Sequence, residues 1–172
     1  DVVVIGGAVM GASAAFWLTK MQPGLSVLVF EQDTSFARAS TALSVASIRS
    51  QFSTSVNVAI SRYGIDFIKD FQGYLGHDVG VPSLGFKENG YLFLAHSDEG
   101  AGLLTELAEM QRGQGAATEV WTPVQTATRF PWLNTEDLTA ASFGPRDEGW
   151  FDNMGLLSGF RAAAKAQGVS FV

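Results

Sequence analysis

The sequence predicts an α/β fold that begins with a parallel sheet and continues into a second, α+β region with antiparallel strands. Two features stand out: residues 1–31 form a strand, glycine turn, helix and second strand, which predicts a parallel sheet, and a short apolar strand ends the chain. A third feature, the dipeptide Asn89-Gly90 between two strand-like runs, predicts an antiparallel hairpin. A hairpin interrupts a series of βα units, so we expect it to belong to a second region.

The first 31 residues carry the fingerprint of a dinucleotide-binding βαβ unit. Gly6, Ala8 and Gly11 occupy its three glycine positions, with alanine at the second. Glu31 follows Gly11 by 20 residues, the separation at which an acid meets a ribose. The β-branched run before Gly6 predicts a strand buried on both faces. These residues predict a Rossmann-like site for an adenine dinucleotide; the alternative is a βαβ unit whose glycines serve only packing.

Each part of this unit has a physical role in binding a pyrophosphate. Gly6 permits a sharp turn, and the helix that follows points its free N–H groups and positive dipole end at the phosphates. The methyl group of Ala8 takes some of the room that glycine normally leaves there. The carboxylate of Glu31 can accept hydrogen bonds from ribose hydroxyls but would repel a 2′-phosphate, which disfavours NADP.

Residues 34–52 are rich in Ser, Thr and Ala and leave two interpretations open. Hydroxyl groups in this segment could donate to phosphate oxygens. Alternatively, the segment is a loop leading into a short helix that Ser40 or Thr41 caps. The following helix starts near Ser53 or Ser55 and carries an apolar stripe that predicts a core face. The stripe consists of Val56, Ile60, Tyr63, Phe67, Phe71 and Tyr74.

The remaining elements follow from strand patterns and helix-start signals. The predicted strands are 84–88, 91–95, 138–143, 150–151 and 169–172. The predicted helix starts are Ser97, Thr122-Pro123, and Asp152 or Asn153, and Gly168 closes the last helix. We therefore assign residues 1–82 and 148–172 to a nucleotide-binding domain and residues 83–147 to a second, substrate-binding domain.

Composition excludes several classes of function. The net charge of −6, with scattered basic residues, argues against nucleic acid as a partner. The chain has no cysteine, and its two histidines, His77 and His96, are isolated, so we expect no metal site. No apolar run approaches the length of a membrane span. We expect a cytoplasmic protein, with the mitochondrial matrix as the alternative because a targeting peptide upstream of Asp1 would not be visible.

The chain resembles the D-amino-acid oxidase-like superfamily of FAD-dependent oxidoreductases, which includes sarcosine oxidase, glycine oxidase and dimethylglycine dehydrogenase. The resemblance covers all 172 residues and rests on the segments VVVIGGAVMG, VLVFE, RASTALSVASIR, ENGYLFLA, RFPWLN and GWFDNMGLLSGF. It implies a GR2-type FAD-binding sheet and the start of a substrate domain. Members of the family are longer, so the resemblance implies an N-terminal portion that is inactive by itself.

The resemblance also implies which residues form the site. An arginine that faces the flavin and binds the substrate carboxylate falls at or near Arg49; the alternative is an arginine that merely pairs with an acid. Val172 lies on a strand whose backbone approaches the adenine. The implied cofactor-binding residues are Gly6, Ala8, Val9, Met10, Gly11, Glu31, Gln32, Arg38, Ser40, Thr41, Ser47 and Val172.

The implied chemistry is oxidation of a C–N bond in an amine or amino acid: a hydride passes to flavin N5, and the imine product is hydrolysed. Either dioxygen or an electron carrier would then accept the electrons. Leu43 stands where dimethylglycine dehydrogenase-like members carry the histidine that tethers FAD, so we expect non-covalent FAD. Two alternatives stay open: an FAD-binding relative that serves assembly without turnover, and an NAD-dependent dehydrogenase.

Overall fold

The computed structural model describes residues 1–81 and 83–172, and it contains parallel and antiparallel sheets together with helices. The strands are β1 (Val2–Ile5), β2 (Val27–Phe30), β3 (Ser47–Ile48), β4 (Tyr91–Ala95), β5 (Glu119–Trp121), β6 (Ala140–Gly144), β7 (Gly149–Trp150) and β8 (Ser170–Phe171). The α-helices are α1 (Val9–Met21), α2 (Ser40–Leu43), α3 (Ser55–Lys69), α4 (Phe71–Leu75), α5 (Asp98–Gly113), α6 (Pro123–Arg129) and α7 (Asn153–Ala166). A 3₁₀ turn covers His77–Val79.

The chain divides into two compact units. The first contains residues 1–46, 67–85 and 151–172, and the second contains residues 47–66 and 86–150. The segment 47–66 therefore lies in the second unit, although we assigned it to the nucleotide-binding domain. Contacts within a unit do not test a domain assignment, so the domain boundaries stay a prediction. The predicted boundary residue Pro82 lies outside the described residues.

The first unit contains the parallel sheet that the opening βαβ pattern predicts. Its strand order is β1-β2-β8, and both pairings are parallel. Val2 lies opposite Val27, and Leu28 lies opposite Ser170. The last strand therefore returns to the sheet formed by the first two, as the family resemblance implies.

Helices α1 and α7 pack together through aromatic rings. The ring of Phe160 lies 5.7 Å from Phe16, 5.5 Å from Phe67 and 5.7 Å from Phe71 between centroids. Gly159 leaves room for this cluster, because a Cβ atom there would overlap the ring of Phe71. The apolar area that these rings bury is the main stabilising contribution of the first unit's core.

One prediction about β1 is wrong. The strand alternates in burial instead of being buried on both faces, since Val3 is 60% exposed and Ile5 is 82% exposed. Strand β2 also alternates, because Val27 and Val29 are buried whereas Phe30 is 46% exposed. The exposed side chain of Ile5 lines a cleft described below, which explains why a β-branched residue occurs at an exposed position.

The second unit holds two antiparallel sheets. In the larger sheet β6 lies between β4 and β5, and all of its residues are buried. Phe143 of β6 packs against Trp121 and Phe130, with centroid distances of 4.6 and 5.5 Å. The smaller sheet pairs β3 with β7, so that Ser47 lies opposite Trp150.

The predicted hairpin around Asn89-Gly90 is wrong, although the antiparallel region is confirmed. Strand β4 pairs with β6, which follows it by more than 40 residues. Lys87 instead exchanges two backbone hydrogen bonds with Trp150. Gly90 has a φ of +81°, and its N–H donates to the carbonyl oxygen of Glu148. The dipeptide therefore turns the chain between partners that are distant in sequence.

The single helix predicted to carry the apolar stripe is two helices, α3 and α4, and the stripe is wrong in its first half. Val56, Ile60 and Tyr63 are 60%, 64% and 53% exposed. The buried positions of the helix include Val58 and Ile65. Both faces carry apolar side chains, so periodicity alone does not identify the face that packs.

Side-chain caps confirm the predicted starts of three helices. Ser97 Oγ accepts a hydrogen bond from Gly100 N in α5, and Thr122 forms a capping box with Gln125 in α6. Asp152 Oδ1 accepts from Gly155 N at the start of α7. The predicted cap of α2 is wrong, because Ala39 occupies the cap position without a side-chain bond. Among residues 1–81 and 83–172, no helix has the length and apolar character needed to cross a bilayer.

Candidate functional site

A cleft of about 1250 Å³ opens in the first unit beside the N-terminus of α1. The end of β2, the short helix α2 and the start of α7 complete its wall. Most of the cofactor residues predicted from sequence line it: Gly6, Ala8, Val9, Met10, Glu31, Gln32, Arg38, Ser40, Thr41 and Val172. Their common position agrees with a single ligand site, and their roles in binding stay predictions.

Two glycines fix the turn between β1 and α1. Gly6 has a φ of +95°, a conformation that L side chains rarely adopt. Gly11 is not among the residues that line the cleft, but a Cβ atom there would overlap the carbonyl oxygen of Gly6. Gly11 therefore allows the first turn of α1 to lie directly against the glycine turn.

The carboxylate of Glu31 ties the end of β2 to this turn. Its Oε2 accepts a hydrogen bond from Gly7 N at 2.7 Å, and its Oε1 accepts from Asp33 N at 2.9 Å. The bonds from Asp33 and Gly7 lower the pKa of Glu31, so the group is ionised at neutral pH. Each carboxylate oxygen keeps a further lone pair that can accept a bond from a ribose hydroxyl.

The first turn of α1 presents unpaired donors. In the described part of the chain, the N–H groups of Met10 and Gly11 donate to no protein acceptor. Val9 N donates to Thr41 Oγ1 at 3.3 Å, so the hydroxyl of α2 partly caps α1. Thr41 can still donate its own O–H to another acceptor. Together these groups suit a diphosphate at the positive end of the helix.

Sequence reasoning missed Asn153. This residue lines the cleft, and its Nδ2 donates to the carbonyl oxygens of Thr41 and Ser44. It therefore holds α2 against the start of α7. No local motif indicates this bond, because Thr41 and Asn153 are 112 residues apart in the chain.

Val172 contributes its side chain to the cleft. Its N–H donates to Val29 O at 2.9 Å, and its carbonyl oxygen accepts from Glu31 N at 2.8 Å. The backbone, which we expected to approach the adenine, is thus engaged with β2. The side chain is 58% exposed and offers an apolar surface to a ligand.

The other two predicted residues lie in the second unit. Ser47 is an exposed residue of β3. Arg49 follows directly after this strand, and its guanidinium carbon lies 4.8 Å from the ring centroid of Phe52, 5.1 Å from Tyr91 and 5.3 Å from Phe93. Its Nη1 donates to Tyr91 Oη at 3.0 Å.

Arg49 keeps donor capacity in this aromatic cage. Its Nε is buried without a hydrogen-bond partner, and it forms no ion pair with any of the residues that the structure describes. Arginine above aromatic rings is stabilised by cation–π attraction. The cage therefore holds a cation whose charge is not neutralised by a direct carboxylate contact, which suits an anionic ligand.

The residues around the start of α1 fit an FAD cofactor. The turn, the free N–H groups and the ionised Glu31 fit the ADP half of FAD, which supplies the redox chemistry when bound. Gly6, Val9–Gly11, Glu31 and Thr41 are the residues that would hold it.

Comparisons with known proteins show the family of this chain. The family described as FAD dependent oxidoreductase (DAO) matches residues 1–172. The chain is 44% identical over 175 residues to FAD-dependent oxidoreductase domain-containing protein 1 of Bos taurus, covering 99% of this chain and 36% of that protein. It is 27% identical over 173 residues to mitochondrial sarcosine dehydrogenase of Mus musculus, covering 100% of this chain and 18% of that protein.

Solved structures show the same fold. L-proline dehydrogenase from P. horikoshii superimposes with a TM-score of 0.78 and 28% sequence identity, covering 100% of this chain and 43% of that chain. The chain spans about a third of the length of the first curated relatives it matches. The family match over every residue favours FAD over NAD, and the chain belongs to the DAO family of FAD-dependent oxidoreductases.

Proposed function

We propose that the protein containing this chain oxidises the C–N bond of an amino acid or a related amine, with FAD as the hydride acceptor. The cleft beside α1 supports a dinucleotide, because the free N–H groups at the start of α1 beside it suit phosphates and the ionised Glu31 that lines it suits a ribose. The names of the sarcosine dehydrogenase and proline dehydrogenase relatives support a substrate that carries both an amine and a carboxylate.

The environment of Arg49 is the observation that supports a substrate with a carboxylate group. A guanidinium that is held against aromatic rings and has no carboxylate partner among the described residues can bind a carboxylate without first breaking an ion pair. Ion pairing also orients the substrate, since a guanidinium and a carboxylate can form two parallel hydrogen bonds. In this role Arg49 contacts substrate and fixes its position, and no residue of the described chain needs to act as an acid or base if the amine arrives neutral.

Anaerobic reduction tests the reaction class. The purified full-length protein is mixed without oxygen with a panel of sarcosine, glycine, proline and D-amino acids, and the visible flavin absorbance is followed. We expect at least one member to bleach the flavin band. If the whole panel leaves FAD oxidised, the protein is instead a relative that binds FAD without turnover.

Arg49→Ala tests the carboxylate role. Losing a charge-assisted hydrogen bond of about 1.5–3 kcal/mol should raise KM for the carboxylate substrate about 10- to 100-fold. Arg146→Ala is the matched control, because Arg146 is an exposed arginine of the same unit. An unchanged KM in Arg49→Ala would remove this residue from the site.

The electron acceptor and the location complete the proposal. Oxygen consumption during turnover would identify an oxidase, and turnover only with an artificial electron acceptor would identify a dehydrogenase.

The mitochondrial sarcosine dehydrogenase relative supports the mitochondrial matrix, whereas a cytoplasmic location stays a prediction. Cell fractionation with an antibody against the protein distinguishes the two compartments.

A further inference from the structure

A buried carboxylate in the second unit has no role in the chemistry described so far. Glu148 lies between β6 and β7 and is 1% exposed. Its Oε1 accepts a hydrogen bond from Ser50 N at 2.7 Å, and its Oε2 accepts from Gln51 Nε2 at 2.8 Å. A buried acid without such donors would strongly destabilise the fold.

The surrounding chain leaves space for this carboxylate. A Cβ atom on Gly144 would overlap the Glu148 carboxyl group, so glycine is required there for reasons of space. Burial raises the pKa of Glu148, while the bonds from Gln51 and Ser50 and the charge of Arg49 lower it by less. Both oxygens accept from N–H donors, an arrangement that favours the ionised form.

Gln51 extends the carboxylate's bonds into a network across the sheet. Its Nε2 donates to Tyr91 O at 2.8 Å as well as to Glu148, and its Oε1 accepts from Ser142 Oγ. The amide therefore uses both donors and its acceptor. Because Tyr91 lies on β4 and Ser142 on β6, the segment that contains Gln51 is fixed to two neighbouring strands.

Arg49 immediately precedes this fixed segment. Its own carbonyl oxygen accepts a hydrogen bond from Ser61 Oγ, and the next N–H, that of Ser50, donates to Glu148. The peptide unit after Arg49 is thus held at its oxygen and at its nitrogen. The direction of the Arg49 side chain depends on this peptide unit, since a rotation there would carry the guanidinium away from Phe52 and Tyr91.

We propose that Glu148 is a positioning residue, whose carboxylate fixes the Ser50–Gln51 segment and thereby holds the Arg49 guanidinium in its aromatic cage, ready for a substrate carboxylate. The last step rests on the proposed function of Arg49. The first step does not, because it concerns only where the guanidinium lies. Two separate measurements therefore test the two steps.

The first measurement follows the Nε–Hε NMR resonance of Arg49 in the full-length protein, assigned by its loss in Arg49→Lys. Ring currents from Phe52, Tyr91 and Phe93 should displace this resonance from the ordinary arginine position. We expect Glu148→Asp, which shortens the side chain, and Glu148→Gln, which places an N–H donor against a donor, to move the resonance back. Glu136→Gln, which changes an exposed glutamate, is the control and should leave it in place.

A resonance that stays in place in both folded Glu148 variants would overturn the proposal. If these variants do not fold, Ser142→Ala provides a milder change. It removes only the hydroxyl donor to Gln51 and keeps the side chain of Glu148. We expect a smaller displacement in the same direction, and no displacement in Ser142→Ala would then be decisive against a positioning role.

The second measurement titrates the oxidised protein with benzoate, a carboxylate that cannot be oxidised, and follows the flavin absorbance. If Arg49 binds carboxylates, the Glu148 variants should bind benzoate about tenfold more weakly. In the Arg49→Ala background the same substitutions should have no further effect, because the group they position is gone. A displaced resonance in the Glu148 variants, with benzoate affinity unchanged in every variant including Arg49→Ala, would support the positioning role and contradict the proposed role of Arg49.

Discussion

Ala8 shows how backbone geometry tolerates a departure from a glycine motif. The residue has φ −69° and ψ −170°, an extended conformation that any L residue adopts. Glycine is therefore not required at this position for conformational reasons, unlike at Gly6, where φ is +95°. Alanine therefore differs from glycine here only by its methyl group, and Ala8 is one of the residues that line the cleft.

Replacing Ala8 with glycine should leave FAD binding equal or tighter. The substitution removes the methyl group from the cleft wall without changing a required φ. Flavin fluorescence during titration of the apoprotein with FAD would measure the dissociation constant. The added chain flexibility of glycine should cost about 0.5–1 kcal/mol of stability, so thermal unfolding is measured alongside. Weaker FAD binding would show that the methyl group makes a favourable contact with the cofactor.

Single residues of the site differ in how far the sequence reveals them. The spacing between Gly11 and Glu31 predicts the acid because both belong to one local βαβ unit. Glu148 and Gln51 have no such signal, since their bond joins residues 97 apart in the chain. A buried polar pair of this kind depends on the folded arrangement of strands, which local patterns do not specify.

At the scale of elements, the contact between β1 and α1 depends on one glycine. A Cβ atom at Gly11 would overlap Gly6 O and approach the side chain of Val4 to 3.2 Å. The carbonyl oxygen belongs to the backbone of the turn and cannot move away as a flexible side chain could. The helix would have to shift away from the strand, and its N-terminal donors would shift with it.

Gly11→Ala should therefore reduce both stability and FAD affinity. Overpacking at a close contact costs about 1–3 kcal/mol, so the midpoint of thermal unfolding should fall by several degrees. Gly102→Ala is the matched control, because no atom lies within 4 Å of a Cβ atom at that exposed position of α5. The control should stabilise the protein slightly, as alanine favours helix over glycine. Equal behaviour of the two variants would contradict the close-packing argument.

The elements that sequence predicts well are those whose partners are adjacent in the chain. The parallel pairing of Val2–Ile5 with Val27–Phe30 belongs to this class, as do the capped helix starts at Ser97 and Thr122. The false hairpin at Asn89-Gly90 belongs to the opposite class. Its turn residues are correct, but the strand beside Tyr91–Ala95 comes from Ala140–Gly144. A local turn signal does not indicate which strand will pair with Tyr91–Ala95.

At the scale of the whole molecule, the sequence bears on whether FAD is linked covalently to the protein. Leu43 is 72% exposed on α2 and has no group that could form a bond to flavin. The chain also has no cysteine. Within these 172 residues, therefore, position 43 cannot form the histidine linkage of dimethylglycine dehydrogenase-like members, and no cysteine can form a linkage.

Denaturing the full-length protein should release its FAD. The purified holoprotein is unfolded in guanidinium chloride and filtered, and we expect the yellow flavin in the filtrate. A flavoprotein whose FAD is known to be covalently attached, unfolded and filtered in the same way, provides the control. Flavin that stays with the polypeptide would contradict the prediction, and the flavin-bearing peptide would then identify the linked residue.

The cleft beside α1 is assembled from hydrogen bonds between protein atoms. Gly7 donates to Glu31, Val9 donates to Thr41, and Asn153 donates to the Thr41 carbonyl, so four separate stretches of chain are tied together. Each of these bonds joins one protein atom to another. The conformational entropy of the binding surface is therefore lost during folding, and a ligand meets a rigid template instead of ordering one. Association with FAD should consequently resemble docking onto a preformed surface, with little rearrangement of the backbone.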